Sequence, residues 1–256
     1  MPMTDLEAAQ LLHSALRNGT EFPASLARTM TMDDAYAVQF ALLDLQQQSR
    51  ERQAGWKVGL TAKAMQEQQG MHEPVFGHLL ASGQLTSPAQ LSFDGLIAPG
   101  FENELCLRVK SDLSGPEISF DDAAAAVDAV APAIELIEKR GVFKDDLPLA
   151  MAGNAQQRAF ITGGFIPFTP DMNLAEIAVS VRINGAERET ALGAEVLGNP
   201  LHSVIWLAAK LAQFGRHIRA GDLIMSGSFT KQYDLAKNDN IAATFTNIGT
   251  AAIDFP

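Results

Sequence analysis

The run "PGFENELCLRV", residues 99 to 109, has the composition of a central β-strand, yet it carries two glutamates two positions apart. Strand alternation puts Glu102, Glu104 and Cys106 on one face and Phe101, Leu105 and Leu107 on the other. Strands disfavour glutamate and like charges this close repel, so a fold that uses this run must expose that face or supply a counter-charge. A second segment, "VAPAIELIEKR", adds a third acid: period two groups Glu135 with Ala133 and Ile137, while Glu138 points the other way with Leu136. An ionised carboxylate on a buried strand costs several kcal/mol unless it is paired. Three carboxylates from two strands can share one divalent cation, and all-oxygen ligation favours Mg²⁺ or Mn²⁺ over zinc. From the residues alone, an exposed polar face and a cation site both stay open.

A chain of 256 residues with 47% hydrophobic residues can bury a substantial core within one larger domain. Lysine and arginine total 19 against 30 acidic residues, a net charge of -11 with no basic stripe, which excludes the electrostatic footprint of a nucleic-acid binder. Small molecules or copies of the same chain are the expected partners. The lone Cys106 excludes an internal disulfide framework and fits a reducing compartment. The N-terminus shows neither a basic n-region nor an apolar h-region. The most apolar later stretch, residues 201–215, is too short for a membrane span and holds His202 and Lys210, so a soluble, cytoplasmic protein is expected.

Thr4 followed by Asp5 and Glu7, with Gly19 as a stop, predicts a first helix. Thr31 and Asp34 predict a capping box on a second, with a stripe of Ala37, Val38, Ala41, Leu42 and Leu45 and a solvated tail at Gln46 to Gln48. From Gly55 the period changes: a short strand in "GWKVGLT", then a short helix ended by Gly70. Strands are expected near 101–109, 131–137, 159–163, 177–183, 222–226 and 241–246, and helices near 119–130 and 200–214, the latter started by Asn199 and Pro200. This gives an α+β chain, with a helical N-terminal portion (1–80) packed on a catalytic domain (81–256).

The blocks "GWKVGLTAKAMQEQQGMHEPVFGHLL", "FENELCLRV", "APAIELIEKR", "GNPLHSVIWLAAKL" and "AGDLIMSGSFT" stand in the order and spacing of the fumarylacetoacetate hydrolase superfamily. More narrowly, the chain resembles its group of 2-oxopent-4-enoate hydratases and 4-oxalocrotonate decarboxylases, from about residue 50 to the end. The resemblance implies a mixed β-roll or barrel, and a Mg²⁺ or Mn²⁺ site of an E-x-E pair plus a third glutamate, matched here by Glu102, Glu104 and Glu135. It implies short 2-oxo or 2-hydroxy dienoic acids from aromatic breakdown as substrates, chelated through the C1 carboxylate and C2 oxygen. Lys57 matches the lysine of the "G-[WY]-K-[IVM]-G-L-T" block, where it would hold the C1 carboxylate or developing enolate charge as a catalytic residue. Its position in an apolar run between Trp56 and Val58 predicts partial burial near a substrate carboxylate, and with it a tunable protonation state.

Two departures from the group's pattern bear on the reaction. Where many hydratases read P-D-[FY]-G, this chain has "EPVFG", with Val75 in place of an acid, and His78 or Glu73 are the nearby candidates to replace it. After Asn154 and Ala155, which match, Gln156 and Gln157 replace small hydroxyl residues, and Arg158 is placed to pair with a distal carboxylate of a diacid. Ser228 and Thr230 fall where relatives have pocket residues, and Cys106 is expected to be buried packing. The leading expectation is hydration of a 2-hydroxy-2,4-dienoate. A 4-oxalocrotonate-type decarboxylase is the alternative, with a C–C hydrolase or a non-catalytic partner subunit behind it. Self-association is expected, as is a possible complex with a related pathway enzyme.

Overall fold

Capping boxes start the first two helices, where the sequence predicts an N-cap at Thr4 and a capping box at Thr31 and Asp34. In the computed structural model, which describes residues 3–141 and 146–256 apart from the side chain of Ala64, the Thr4 hydroxyl accepts from Glu7 N–H and the Glu7 carboxylate accepts in return from Thr4 N–H. Helix α1 (Asp5–Asn18) then runs to Gly19, whose left-handed φ of 64° closes it. Helix α2 (Met32–Gln48) opens in the same way on Thr31 and Asp34. It is apolar on two sides, which a single stripe does not anticipate. Val38 and Leu42 face α1, while Tyr36, Phe40 and Leu43 join the core beneath the sheet. Its tail is not wholly solvated either, because Gln46 is buried.

The chain enters the main sheet at Gln53. Strands β1 (Gln53–Gly59) and β2 (Val75–Leu80) flank the short helix α3 (Lys63–Gln68), and β3 (Gln84–Thr86) and β4 (Ala89–Gln90) follow. The boundary expected near residue 80 therefore falls at the end of a strand of this sheet, and the helical portion ends at Gln48. Next come β5 (Pro99–Val109), α4 (Phe120–Ala126), β6 (Val127–Glu138), α5 (Leu147–Ala152), β7 (Gln157–Thr162) and β8 (Ile166–Pro167). The remainder is β9 (Ala178–Ile183), β10 (Ala186–Leu192), α6 (Pro200–Ala212), β11 (Leu223–Met225), β12 (Tyr233–Asp234), β13 (Asn240–Phe245) and β14 (Gly249–Asp254).

The nine-stranded sheet has the order β2-β1-β11-β5-β6-β7-β3, with β12 added to β5 and β8 to β6, and the five-stranded sheet the order β10-β9-β13-β14-β4. Both mix parallel and antiparallel pairs, so the α+β, mixed-sheet class expected from the sequence is the one observed. Leu105, Leu107 and Ile134 of the first sheet share one core with Val179, Phe245 and Ile253 of the second and with Leu207 of α6.

The helix expected over 119–130 stops at Ala126. Its alanine run favours helix locally, but Val127 and Val130 pair with Val109 and Leu107 of β5, and this long buried ladder overrides the propensity. Pro132 is tolerated in this central strand because its missing donor falls between two ladders: β7 pairing ends at Ala133–Thr162 and β8 pairing begins at Val130–Ile166. Its carbonyl, on the same side, accepts from Gly163 N–H. Strand β10 was not predictable from alternation. It is an edge strand bearing Glu187, Arg188 and Glu189, charges that discourage further pairing and hide the strand pattern.

Candidate metal centre and cavity

Register brings the acids together. Glu102 of β5 sits directly opposite Glu135 of β6, with Glu104 opposite Ala133. One carboxylate oxygen from each of Glu102, Glu104 and Glu135 lies within 4.8 Å of the other two. Glu104 and Glu135 are fully buried, while Glu102 is half-buried and lines the cavity. The alternation read from the sequence holds: Cys106 packs on the glutamate face with Ala131, Ala133 and Met225, and Phe101, Leu105 and Leu107 lie in the opposite core. Cys106 is buried and free, its thiol pKa pushed up by burial and by Glu104, so packing is its role.

Lys57 enters from β1. Its neighbours Trp56 and Val58 point into the main core, leaving the ammonium on the glutamate side, 3.3 Å from Oε1 and 3.4 Å from Oε2 of Glu135. It donates only to Oε2, so among the described residues Oε1 of Glu135 has no donor, nor has Oε1 of Glu104. Burial raises the pKa of all three glutamates, with Glu135 adding to the rise at Glu104 and Lys57 opposing it at each. Burial alone would lower the Lys57 pKa, but the three carboxylates outweigh it and hold the pKa above its usual value. With all three carboxylates ionised, the state in which they would ligate a cation, they and one ammonium carry two negative charges in a desolvated cluster. Orphaned oxygens, all-oxygen donors and a double negative charge together fit one divalent cation held by Glu102, Glu104 and Glu135.

The loop after β11 completes the cluster. Gly227 N–H donates to Glu104 Oε2 at 2.8 Å. Its φ of 108°, and a virtual Cβ only 2.4 Å from Thr61 Cγ2, mean that only glycine fits there. Ser228 and Thr230 line the cavity but also anchor this loop: Asn103 N–H donates to Ser228 Oγ at 3.3 Å and Asn103 Nδ2 to Thr230 Oγ1 at 2.9 Å. Sequence reading missed Asn103, Gly227 and Thr61 because their contributions are loop geometry rather than titratable chemistry.

The cavity above the cluster has a volume of about 490 Å³. Lys57, Val75, Gln156, Ser228 and Thr230 line it, as do Lys139 and Lys231, which the sequence did not single out. Four residues singled out from the sequence, Asn154, Arg158, Glu73 and His78, are absent from its lining. Asn154 instead clamps β2, its Oδ1 accepting from His78 N–H at 2.7 Å and its Nδ2 donating to His78 O at 2.9 Å. The close approach is possible because Gly77 has no side chain. Arg158 is half-exposed and lies 3.5 Å from Glu138, a residue already paired with Arg140. Glu73 pairs with Lys210 on α6.

His78 is fully buried, with Nε2 2.7 Å from Gln46 Oε1, so it does not replace the acid absent at Val75. Burial and the Arg216 charge push its pKa down to about 3. Between that value and the ordinary value near 6.5 the unfolded chain binds a proton that the folded chain refuses. The contribution is intact above about pH 6.5 and is lost as pH falls toward 3, at up to about 1.4 kcal/mol per pH unit. In His78→Gln, urea unfolding between pH 4 and 6.5 is expected to show a visibly shallower loss of stability with acid than in the parent.

A family model described as fumarylacetoacetate hydrolase C-terminal matches residues 62–255. The chain belongs to the fumarylacetoacetate hydrolase family. It is 36% identical to a 4-oxalocrotonate decarboxylase of Pseudomonas putida over 88% of this chain and 86% of that protein. It is 34% identical to a 2-hydroxyhexa-2,4-dienoate hydratase of Comamonas testosteroni over 88% and 87%. A solved 4-oxalocrotonate decarboxylase from Pseudomonas putida G7, complexed with magnesium and adipate, superposes with a TM-score of 0.91 at 33% identity, covering 98% of this chain and 97% of that one. A fumarylpyruvate hydrolase of Pseudomonas aeruginosa, 16% identical with a TM-score of 0.64, shares the fold. These two curated relatives, a decarboxylase and a hydratase, are both lyases. Among the described residues no helix is long and apolar enough to cross a membrane.

Proposed function

We propose that this chain is a divalent-metal-dependent lyase acting on a small unsaturated 2-oxo or 2-hydroxy acid, with hydration of a 2-hydroxy-2,4-dienoate to a 4-hydroxy-2-oxo acid as its leading reaction. The observation that carries this reading is the buried cluster of Glu102, Glu104, Glu135 and Lys57 at the floor of the cavity. Mg²⁺ or Mn²⁺, held by the three glutamates, supplies Lewis acidity toward the oxygens of a 2-oxo acid. Lys57 is held protonated by its carboxylate neighbours, so it acts as a cation and proton donor rather than a base. It holds the substrate's C1 carboxylate and offsets negative charge that develops beside it. The surrounding walls, Val75 and Met151 among them, exclude water from that end.

Decarboxylation is the second reading, and Val75 favours it. A methyl carbon added at Gly59 would lie 3.4 Å from Val75 Cγ2 and 3.5 Å from Lys57 Nζ, so Val75 flanks the lysine where an acid would be needed to activate water. Val75→Asp is expected to raise dienoate hydration about tenfold or more, at about 1–3 kcal/mol of stability for the buried carboxyl. A variant with unchanged hydration would show that the missing acid does not limit the reaction. Self-association, supported by the exposed Leu6 and Leu11 of α1, is checked by sedimentation, alone and mixed with a pathway partner.

The deciding experiment follows ultraviolet absorbance of 2-hydroxypenta-2,4-dienoate and of 2-oxohex-3-enedioate, each with Mg²⁺ and with chelator, with products weighed by mass spectrometry. Metal-dependent gain of water identifies the hydratase, and metal-dependent CO₂ release the decarboxylase. Turnover that survives full chelation would overturn the metal reading.

A further inference from the structure

The chain carries 30 acidic residues against 19 basic ones, yet the cavity lining inverts that ratio. Lys57, Lys139 and Lys231 all face it, and among the described lining residues Glu102 is the single carboxylate. Lys57 is committed to Glu135 at the floor. Lys139 and Lys231 stand elsewhere. Lys139 follows the last residue of β6 and shares the cavity-facing side of that strand with Ile137 and Glu135. Four residues of strand separate the Lys139 and Glu135 backbones by about 13 Å. Lys139 pairs with Asp234, a side chain 83% exposed, and Lys231 lies 5.5 Å over the Tyr233 ring, with no carboxylate within 4.0 Å among the described residues.

Gln156 is 8% exposed, and its Nε2 has no hydrogen-bond partner among the described residues. It is fixed there by an uncommon backbone: Asn154, Ala155 and Gln156 are all left-handed, with φ of 70°, 50° and 63°, and the Gln156 carbonyl accepts from Glu138 N–H at 2.9 Å. Between the two charged ends the wall is apolar, formed by Ile137, Met151, Ala155 and Leu60. A floor where Lys57 stands beside the three glutamates that would hold a divalent cation, an apolar middle and a cationic mouth describe the complement of a molecule charged at both ends and unsaturated or aliphatic between them.

We infer that the mouth of the cavity is a second carboxylate subsite, in which Lys139 and Lys231 hold, with the Gln156 amide, the far carboxylate of a linear dicarboxylic 2-oxo acid. This deepens the proposed lyase reading, on which its inner end rests, and transfers to Lys139 and Lys231 the role the sequence gave to Arg158. The incoming carboxylate displaces Asp234 from Lys139, an exchange favoured because Asp234 is solvated and the ligand is held at both ends.

The test measures binding of adipate, of hexanoate as the monoacid of equal length, and of oxalate, by titration calorimetry on the full chain with and without Mg²⁺. Adipate is expected to bind at least about tenfold more tightly than hexanoate, and the double variant Lys139→Met/Lys231→Met to reduce that ratio at least about tenfold. Lys139→Arg/Lys231→Arg should keep most of the preference, which a merely structural role would not require. Equal binding of adipate and hexanoate by the parent, or an unchanged ratio in the methionine variant, overturns the subsite. Oxalate is too short to reach the mouth and reports on the floor alone. If its binding is indifferent to Mg²⁺ while the adipate preference is present and lysine-dependent, the subsite stands and the metal reading falls.

Discussion

Glutamine in place of Glu104 is expected to lower metal-dependent turnover about a hundred- to a thousand-fold while leaving the metal-free protein at least as stable as its parent. The two halves of this expectation have one cause. Glu104 is fully buried, its Oε1 has no donor, and two other carboxylates adjoin it. Without a cation it is a desolvated carboxylate that must either stand as a like charge or take up a proton, and both oppose folding, so removing it relieves the cluster. Glutamine keeps an oxygen for Gly227 N–H, so the loop stays in place. With Mg²⁺ present the balance reverses, because the parent gains binding free energy that the variant cannot. Thermal melts with Mg²⁺ and with chelator should therefore show a metal-induced rise in Tm in the parent that is largely lost in the variant. A variant that keeps both turnover and the metal-induced rise would defeat the three-glutamate assignment.

Methionine in place of Lys57 should separate catalysis from cation binding. The ammonium competes with a cation for Glu135, lying 3.3 Å and 3.4 Å from its two oxygens. Removing it leaves Glu135 uncompensated in the metal-free chain, a loss of about 3 kcal/mol. The same change frees both oxygens of Glu135, so Mg²⁺ affinity is expected to hold or rise while turnover falls about a hundred-fold or more. Metal titration by calorimetry beside steady-state kinetics reads both. Weaker Mg²⁺ binding in this variant would mean that Lys57 shapes the ligand set and is not an independent cationic group.

The inner half of this site was legible in the sequence because titratable residues at period-two spacing in a strand carry their own evidence. Glu102, Glu104 and Glu135 converge once β5 and β6 pair, and no other detail of the fold is needed. The outer half depends on features a linear reading cannot see. Lys139 looks like one charge in the run Glu138-Lys139-Arg140, and only the structure shows that Glu138 and Arg140 pair with one another while Lys139 faces the cavity. Asn154 has the expected identity, but its amide is spent on His78 backbone groups, so its effect on any ligand passes through the left-handed turn it begins. The capped helices were equally readable, whereas the alanine-rich start of β6 was not, because its conformation is decided by the strand it pairs with.

Strand β6 contributes Glu135 at one end of the cavity and leads directly into Lys139 at the other. The strand is in effect a ruler, and the length of acid that fits is written in backbone spacing rather than in the size of any side chain. Between the two marks, at Leu136 and Ile137, the pairing with β7 slips out of regular register. A family that re-gauged this ruler would do so most simply by moving or ironing out that irregularity. Substrate length would then change in steps of a residue's rise, while the chemistry at the floor stayed as it was.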